Sequence, residues 1–406
     1  MAKSKKPQKV ISPVDDSDSD VIKDESTEQE AAEQLEPTPV VVNPSNKSQP
    51  KIVRADKPAR KKMPVWGWVV IGLVLVAGAS VGGYIFWSQP SNQPTNTPAN
   101  ENSAPIPVAR KIDGIIVAAD QANPRLNAVM IENINESRPP SGLDKASVVY
   151  EALAEGGITR FLAVFIATES VGEIGPVRSA RSYYIDWASE YKPLYVHAGG
   201  SPQALKTLWS GKSNLYDFNQ FYHGGYFWRD KNRYAPHNLY TSSTKLVEAW
   251  KDALKSPAMP NFTPWTFADD PSIDLRPEVV KDATIDFSSF NYKVGYAYDR
   301  GTNTYKRSVG GKLHVTRDGA QITAKNIVVQ YTAASLIPNN GGRLQMTTIG
   351  QGKLVVFRNG EAVTGTWKKT SAAARTQLLD DNGQPITLTR GNTWIEIVPP
   401  GRAVTY

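Results

Sequence analysis

The chain has 406 residues, which is enough for two or three domains. It holds 46 Lys and Arg against 39 Asp and Glu, and this small excess permits attraction to anionic polymers or lipids without requiring it. The sequence contains no cysteine. Disulfides, thiolate metal sites, a cysteine nucleophile and a lipidated cysteine are therefore excluded from it.

Residues 1–64 are rich in Pro, Ser, Glu and Lys and contain no aromatic residue. Such a composition cannot bury enough apolar surface to offset the entropy of ordering the chain. We therefore predict that residues 1–64 form a disordered tail.

Residues 65–87, VWGWVVIGLVLVAGASVGGYIFW, carry no charge. At about 1.5 Å per residue they span the roughly 30 Å hydrocarbon core of a membrane as one helix. Arg60, Lys61 and Lys62 precede this stretch and no charge follows it until Glu101, so the N-terminus is predicted to be cytoplasmic. A cleaved signal peptide would need a far shorter leader. The sequence thus predicts a single-pass signal-anchor helix, a linker at 88–107, and extracytoplasmic domains beyond it.

The predicted fold class is α+β, with a mixed α/β domain at 108–275. Within this domain, Val148 to Ala154 and Thr159 to Ala167 are strand-like and are separated by the turn sequence EGG, which predicts a β-hairpin. Three helices are also predicted: one over Ser179 to Tyr191 with Ser179 as its cap, one begun by Ser201-Pro202, and one after Thr241. Two further short strands are predicted at Asn127 to Glu132 and Leu194 to His197.

Residues 276–406 contain short strand-like runs separated by turn signals such as Asn359-Gly360, and no long helical pattern. They predict a mainly antiparallel β domain that packs against the α/β part or continues it. The predicted strands are Ile285 to Phe287, Tyr292 to Tyr298, Leu313 to Thr316, Ile327 to Tyr331, Leu354 to Arg358, Pro385 to Leu388 and Thr393 to Val398.

Polar residues that packing does not readily explain concentrate in four segments between Glu151 and Tyr240. These segments are EGGITR (155–160), IGPVRSAR (174–181), HAGGSP (197–202) and RDKNRYAPHNLY (229–240).

Arg178 and Arg181 can present planar guanidinium groups to carboxylates or phosphates, although such a pair also serves to tie loops together. Gly199, Gly200 and Ser201 lie between a strand and a helix N-terminus, where backbone N–H groups favour an anion. A tight turn that requires positive φ explains the same glycines.

A general base needs one histidine, and His237 and His197 are the candidates, with Glu155 as a possible carboxylate. The histidines have no spacing typical of a metal site, so neither a metal nor another cofactor is predicted. The sequence also lacks GxSxG, and Ser201 and Ser179 are better explained as helix caps than as nucleophiles.

Aromatic residues near Tyr222 and Tyr234 alternate with Arg and Lys and can stack on sugar rings, but nucleic acid is not a predicted partner.

Four stretches together resemble the YerB-like lipoprotein family of bacterial envelope proteins, which is built on a domain of unknown function. They are Arg138 to Phe165, Ile174 to Ala188, HAGGSP and Arg233 to Thr241, and the C-terminal stretches VTGTWKKTS (363–371) and GQPITLTRGNTWIEIVPP (383–400) add to the likeness. The resemblance implies an envelope location and a two-part fold, but no established activity. That family typically carries a lipidated cysteine, whereas this chain has an apolar helix-forming stretch instead.

Two functional hypotheses follow. The first is a binding module whose polar face recognises an anionic cell-wall polymer or an envelope protein. The second is a hydrolase or transferase acting on a wall glycan or phosphoester, with His237 or His197 as base and arginines stabilising negative charge. A blander alternative is that the four segments only pack an interface. The residues predicted to bind ligand are Arg160, Arg178, Arg181, Gly199, Gly200, Ser201, Arg233 and Asn238.

Overall fold

The computed structural model describes residues 106–252 and 257–406, and this part of the chain is rich in β-strands. Its three α-helices are α1 (Ser182–Ala188), α2 (Pro202–Trp209) and α3 (Ser243–Asp252). Its strands are β1 (Val108–Ala109), β2 (Ile116–Val117), β3 (Leu126–Glu132), β4 (Val148–Leu153), β5 (Thr159–Ile166), β6 (Leu194–His197), β7 (Tyr216–Asn219), β8 (Trp228–Arg229), β9 (Leu239–Tyr240), β10 (Phe267–Ala268), β11 (Ala283–Asp286), β12 (Lys293–Asp299), β13 (Thr304–Val309), β14 (Lys312–Leu313), β15 (Thr323–Ala324), β16 (Asn326–Tyr331), β17 (Ala334–Leu336), β18 (Leu344–Met346), β19 (Gly350–Arg358), β20 (Glu361–Lys369), β21 (Gln377–Asp380), β22 (Leu388–Thr389), β23 (Thr393–Val398) and β24 (Val404–Thr405).

A ten-stranded mixed sheet carries the core, in the order β21-β20-β19-β16-β23-β4-β5-β3-β6-β7. Strands β3, β4, β6, β7, β16, β20 and β23 run in one direction, and β5, β19 and β21 run in the other. All residues of β3, β4, β5 and β23 are buried, as expected for central strands covered on both faces.

This sheet contains strands from both sides of residue 275. Strand β23 pairs in parallel with β4, with Glu396 opposite Glu151, although 245 residues (396 − 151) separate them in the chain. The C-terminal part is therefore less purely antiparallel than predicted, because β16, β23 and β4 form a parallel block. The domain boundary near residue 275 stays a prediction.

A second, antiparallel sheet is formed by β14-β13-β12-β11-β24, with β15 paired to β13. In β13 the residues Tyr305, Arg307 and Val309 face inward and are buried. An arginine thus occupies a core position of this sheet.

Several predicted elements are confirmed. The segments around β3, β6, β16 and β23 form strands, and β4 and β5 form the predicted hairpin. Ser201 caps α2, since its hydroxyl accepts a hydrogen bond from Ala204 N at 3.3 Å. Asn359 and Gly360 both have positive φ and turn β19 into β20.

Other predictions are wrong in detail. The first helix begins at Ser182 and not at Ser179, because the chain is still extended at Arg181 (φ −131°, ψ 150°). The strands predicted at 313–316 and 385–388 are shorter and shifted, and β13 and β20 had not been predicted.

The predicted tail and membrane helix, and nearly all of the linker, lie outside the described residues. No helix of residues 106–252 or 257–406 is long and apolar enough to cross a membrane. The topology of the N-terminal part stays a prediction.

Glu190, which follows α1, anchors that helix to the C-terminal strands. Its buried carboxylate accepts hydrogen bonds from Lys369 Nζ at 2.7 Å, Arg375 Nη1 at 2.8 Å and the Thr376 hydroxyl at 2.6 Å. Burial alone would raise the pKa of Glu190, but the two cations and these donors lower it. The carboxylate is therefore ionised and couples the two halves of the large sheet.

Candidate functional site

The predicted polar segments meet at one edge of the ten-stranded sheet. Glu132, His197 and Asn219 are the last residues of the parallel strands β3, β6 and β7, which are neighbours. Arg160 lies opposite Glu132, near the start of the antiparallel strand β5. In open α/β sheets ligands bind in the crevice outside the carboxyl ends of the strands, so this edge is the candidate site.

Glu132 is the centre of a charged cluster at this edge. One carboxylate oxygen lies 2.9 Å from Arg178 Nε, and the other lies 2.9 Å from His237 Nδ1. Burial would raise the pKa of Glu132, but Arg178 and His237 together lower it. Glu132 is thus an ionised carboxylate that neutralises Arg178 and orients the His237 ring.

Glu155 and Arg181 form a second ion pair in the same region. Arg181 Nε and Nη2 donate to the two Glu155 oxygens at 2.5 and 2.6 Å, and Nη1 donates to Ala180 O at 2.8 Å. Burial would raise the pKa of Glu155, but Arg181 outweighs it and lowers that pKa to about 2. This bidentate geometry assigns Glu155 the role of a counterion, and its predicted catalytic role has no support from these contacts.

Arg160 lies near both carboxylates. Its Nη1 donates to Ser179 O at 2.9 Å, and its charge contributes to the lowered pKa of Glu132 and of Glu155. Three arginines therefore face two carboxylates, which leaves one net positive charge (3 − 2 = +1) if His237 is neutral. All three arginines are buried. Carboxylates inside the protein therefore compensate most of their positive charge.

His197 is fully buried at the end of β6. Its Nδ1 lies 2.6 Å from Gly199 O, and its Nε2 lies 2.7 Å from Asp217 Oδ1. Both ring nitrogens thus face oxygen acceptors, which argues against His197 as a proton-accepting base. The ring instead fixes the turn in which Gly199 adopts φ +62°.

The glycine loop is likewise tied to its neighbours. Gly199 N donates to Asn219 Oδ1 at 3.0 Å, and Ala180 N donates to Gly199 O at 3.0 Å. A Cβ on Gly200 would lie 3.2 Å from Ala180 Cβ. Close packing therefore accounts for this loop, and anion binding there stays a prediction.

Arg233 and Asn238 also make structural contacts. Arg233 donates to Ser137 O at 2.6 Å and to Pro139 O at 2.9 Å. Asn238 donates to the carbonyls of Asp230 and Arg233 at 3.0 and 3.1 Å. These bonds shape the loop between β8 and β9, whose tip points outward.

Two loops at this edge expose aromatic and basic side chains, and we name their exposed residues the loop face. Phe221 and Tyr222, after β7, are 62% and 68% exposed, and Tyr234, between β8 and β9, is 91% exposed. Arg229, at the end of β8, and Lys231, in the second loop, are also exposed and are included in the loop face. The two loops flank one cluster, since the Phe221 ring lies against Gly199 and His237 contacts Glu132.

Sequence reasoning missed the carboxylates and amides that organise the site. Glu132, Asp217 and Asn219 had not been singled out, although a carboxylate that ends an apolar strand such as NAVMIE is itself a signal of a polar edge. Among residues 106–252 and 257–406, no group of three or more His, Asp or Glu side chains is arranged to hold a metal ion.

Comparison with known proteins gives consistent matches across this part of the chain. Residues 114–256 match the family model "Protein of unknown function (DUF3048) N-terminal domain", and residues 283–395 match its C-terminal domain model. A Bacillus subtilis (strain 168) protein named "Putative lipoprotein YerB" is 33% identical over 279 residues, covering 67% of this chain and 80% of that protein. The crystal structure of Bacillus subtilis YerB aligns with a TM-score of 0.65 and 30% identity, over 74% of this chain and all of that one.

Proposed function

Because this chain belongs to the DUF3048 family of YerB-like proteins, we propose that it is a membrane-associated, extracytoplasmic envelope protein that binds an anionic cell-wall polymer. A lipoprotein relative supports the location, and the predicted helix at 65–87 supplies an anchor in a chain that has no cysteine. The bound polymer is a glycan that carries phosphate or carboxylate groups.

The loop face is the surface that contacts this polymer. Tyr234, at 91% exposure, carries the proposal, because its ring offers a solvent-facing apolar surface together with a hydroxyl group that can form hydrogen bonds. Sugar rings stack on aromatic faces, and the exposed Arg229 and Lys231, which lie five and three residues before Tyr234 in the chain, attract the anionic groups.

The buried arginines support the loop face without contacting the polymer themselves. Arg178 and Arg181 already contact Glu132 and Glu155, and a guanidinium that is paired with a buried carboxylate has little charge to offer a ligand. The arginines that were predicted to bind ligand are thus proposed to hold the two loops in place instead.

The test is sedimentation of the detergent-solubilised full chain with isolated bacterial cell walls, before and after chemical removal of their phosphate polymers. Tyr234→Ser with Lys231→Glu is expected to reduce wall retention about fivefold or more, as for the loss of a contact worth about 1 kcal/mol. The matched control is Leu336→Ser with Lys353→Glu, which changes an exposed apolar side chain and an exposed lysine elsewhere.

Equal retention of both double variants would refute the loop face. If the chain still binds walls without phosphate polymers but no longer binds walls treated with protease, its ligand is a protein and not the polymer.

A second candidate function rests on the contact between His237 and Glu132. A histidine whose Nδ1 donates to an ionised carboxylate, here at 2.9 Å, has Nε2 as its basic nitrogen and can activate water. The side chain of His237 is 19% exposed, so this hydrolase alternative is accessible to a substrate. Release of soluble wall fragments by the wild-type chain but not by His237→Gln would favour it, and equal release would exclude it.

A further inference from the structure

A cavity of about 470 Å³ lies between the turn after β3 and the hairpin of β13 and β14. Its volume falls in the range of about 300–1,000 Å³ of small-molecule sites. It is separate from the loop face, and none of the described residues that line it is acidic. The side chains that matter are Arg138, Lys312 and His314, with Val309, Leu313 and Val315 as apolar walls.

Arg138 differs from the arginines of the sheet edge because its partners are neutral. It donates to the Asn133 side chain at 2.9 Å, the Asn135 side chain at 3.0 Å, and the carbonyls of Asn133 and Asn291 at 3.0 and 2.9 Å. These bonds fix the guanidinium plane without an ion pair, and the carboxylates of Glu151 and Glu136 act on Arg138 only through longer-range attraction. Burial lowers the pKa of Arg138, although a guanidinium stays charged at any physiological pH.

His314 adds a buried donor. Its Nδ1 accepts a hydrogen bond from Arg307, so the proton of the neutral ring sits on Nε2. Burial and Arg307 lower the pKa of His314 well below its usual value, which keeps the ring neutral. Nε2 is buried and has no hydrogen-bond partner among the described residues, and an unsatisfied donor of this kind is costly unless a ligand or water accepts from it.

The network behind His314 contributes no net charge. Arg307 is paired with Glu151, both fully buried. Burial and the neighbouring Glu151 raise the pKa of Glu396 well above its usual value, so this carboxyl group is neutral. The charges in the wall of the cavity are therefore those of Arg138 and the exposed Lys312. Outside the network, the carboxylate of the exposed Glu136 attracts Arg138 but is not part of the wall.

We propose that this cavity binds the phosphate group of an organic phosphate monoester, with Arg138 and Lys312 contacting the phosphate oxygens, the neutral His314 ring in the wall, and the apolar walls contacting the organic part. A phosphate monoester carries close to two negative charges at neutral pH, which matches the two cations, whereas a monocarboxylate would leave one of them unpaired. The proposal does not depend on polymer binding by the loop face.

The test is calorimetric titration of the full chain in detergent micelles with phenyl phosphate, and with benzoate as the monoanionic comparison. We expect one saturable site for phenyl phosphate and at least about tenfold weaker binding of benzoate. Lys312→Glu is expected to weaken phenyl phosphate binding at least about tenfold. The matched control Lys353→Glu makes the same charge change on β19 and is expected to stay within about twofold of wild type.

Arg138→Gln should abolish binding, and Lys312→Glu keeps the proposal testable if Arg138→Gln does not fold. Displacement of phenyl phosphate by a short-chain phosphatidic acid would assign a lipid source, and displacement by a sugar phosphate alone would assign a soluble one; either supports the site. Absence of saturable binding, equal affinity for benzoate, or equal losses in Lys312→Glu and Lys353→Glu would overturn it.

Discussion

The pair of Glu155 and Arg181 allows a quantitative test of the view that the polar edge is structural. In Glu155→Gln the buried guanidinium of Arg181 loses the carboxylate that holds it at 2.5 and 2.6 Å. The pKa of Glu155 falls from 4.5 to about 2 in the folded chain. A difference of about 2.5 pH units, at about 1.4 kcal/mol per unit, corresponds to about 3.5 kcal/mol of stability at neutral pH.

The sign of the pH dependence follows from the direction of this shift. Because the pKa of Glu155 is lower in the folded state than in the unfolded state, its contribution is complete above about pH 4.5 and is lost as the pH falls towards about 2. The stability difference between wild type and Glu155→Gln should therefore shrink over that window. Removing one partner of a buried ion pair typically costs about 3–5 kcal/mol, which agrees with this magnitude.

The assay is urea unfolding of the detergent-solubilised full chain at pH 7, 5 and 3, followed by tryptophan fluorescence. Glu169→Gln is the matched control, since Glu169 pairs with Arg110 at 2.8 Å but is 44% exposed. It should cost less than about 1 kcal/mol. A loss in Glu155→Gln no larger than in Glu169→Gln, or a difference from wild type that is the same at pH 3 and pH 7, would refute the reasoning.

Three further predictions concern stability and use the same unfolding assay. Glu190→Gln should cost about 3–5 kcal/mol because it leaves the buried Lys369 ammonium without its carboxylate, and a loss under 1 kcal/mol would contradict this. Gly365→Ala should cost about 3 kcal/mol or more, since its Cβ would lie 2.0 Å from a backbone carbonyl oxygen, whereas Gly172→Ala, with open space, should have little effect. Ser201→Ala should cost about 1 kcal/mol through loss of a helix cap, and an unchanged midpoint would count against the cap.

The parts of the fold that could be predicted are those specified by local sequence. The hairpin of β4 and β5 consists of two runs of strand-forming residues separated by a glycine turn. Helix α2 begins with a capping serine followed by proline. By contrast, β13 was missed because Arg307 occupies one of its inward positions and interrupts the apolar alternation. The pairing of β23 with β4 depends on contacts between distant residues, which no short pattern encodes.

The candidate site could likewise be predicted only in part. The sequence indicated which cations and histidines would gather, because Arg178, Arg181, His197 and His237 do lie at one sheet edge. It did not indicate their partners, since a counterion is chosen in three dimensions. A cluster of arginines in a sequence therefore predicts a polar site more reliably than it predicts a free charge.

Compensation of charge thus decides which cations can bind a ligand. Arg178 and Arg181 are paired with carboxylates inside the protein, and exchanging those partners for a ligand would require the carboxylates to be left buried and unpaired. Arg138 has four neutral acceptors instead, so a ligand phosphate would add an interaction without displacing a buried anion. Arg138 had not been predicted as a binding residue, yet its neutral hydrogen-bond partners make it better suited to bind an anion than Arg178 or Arg181.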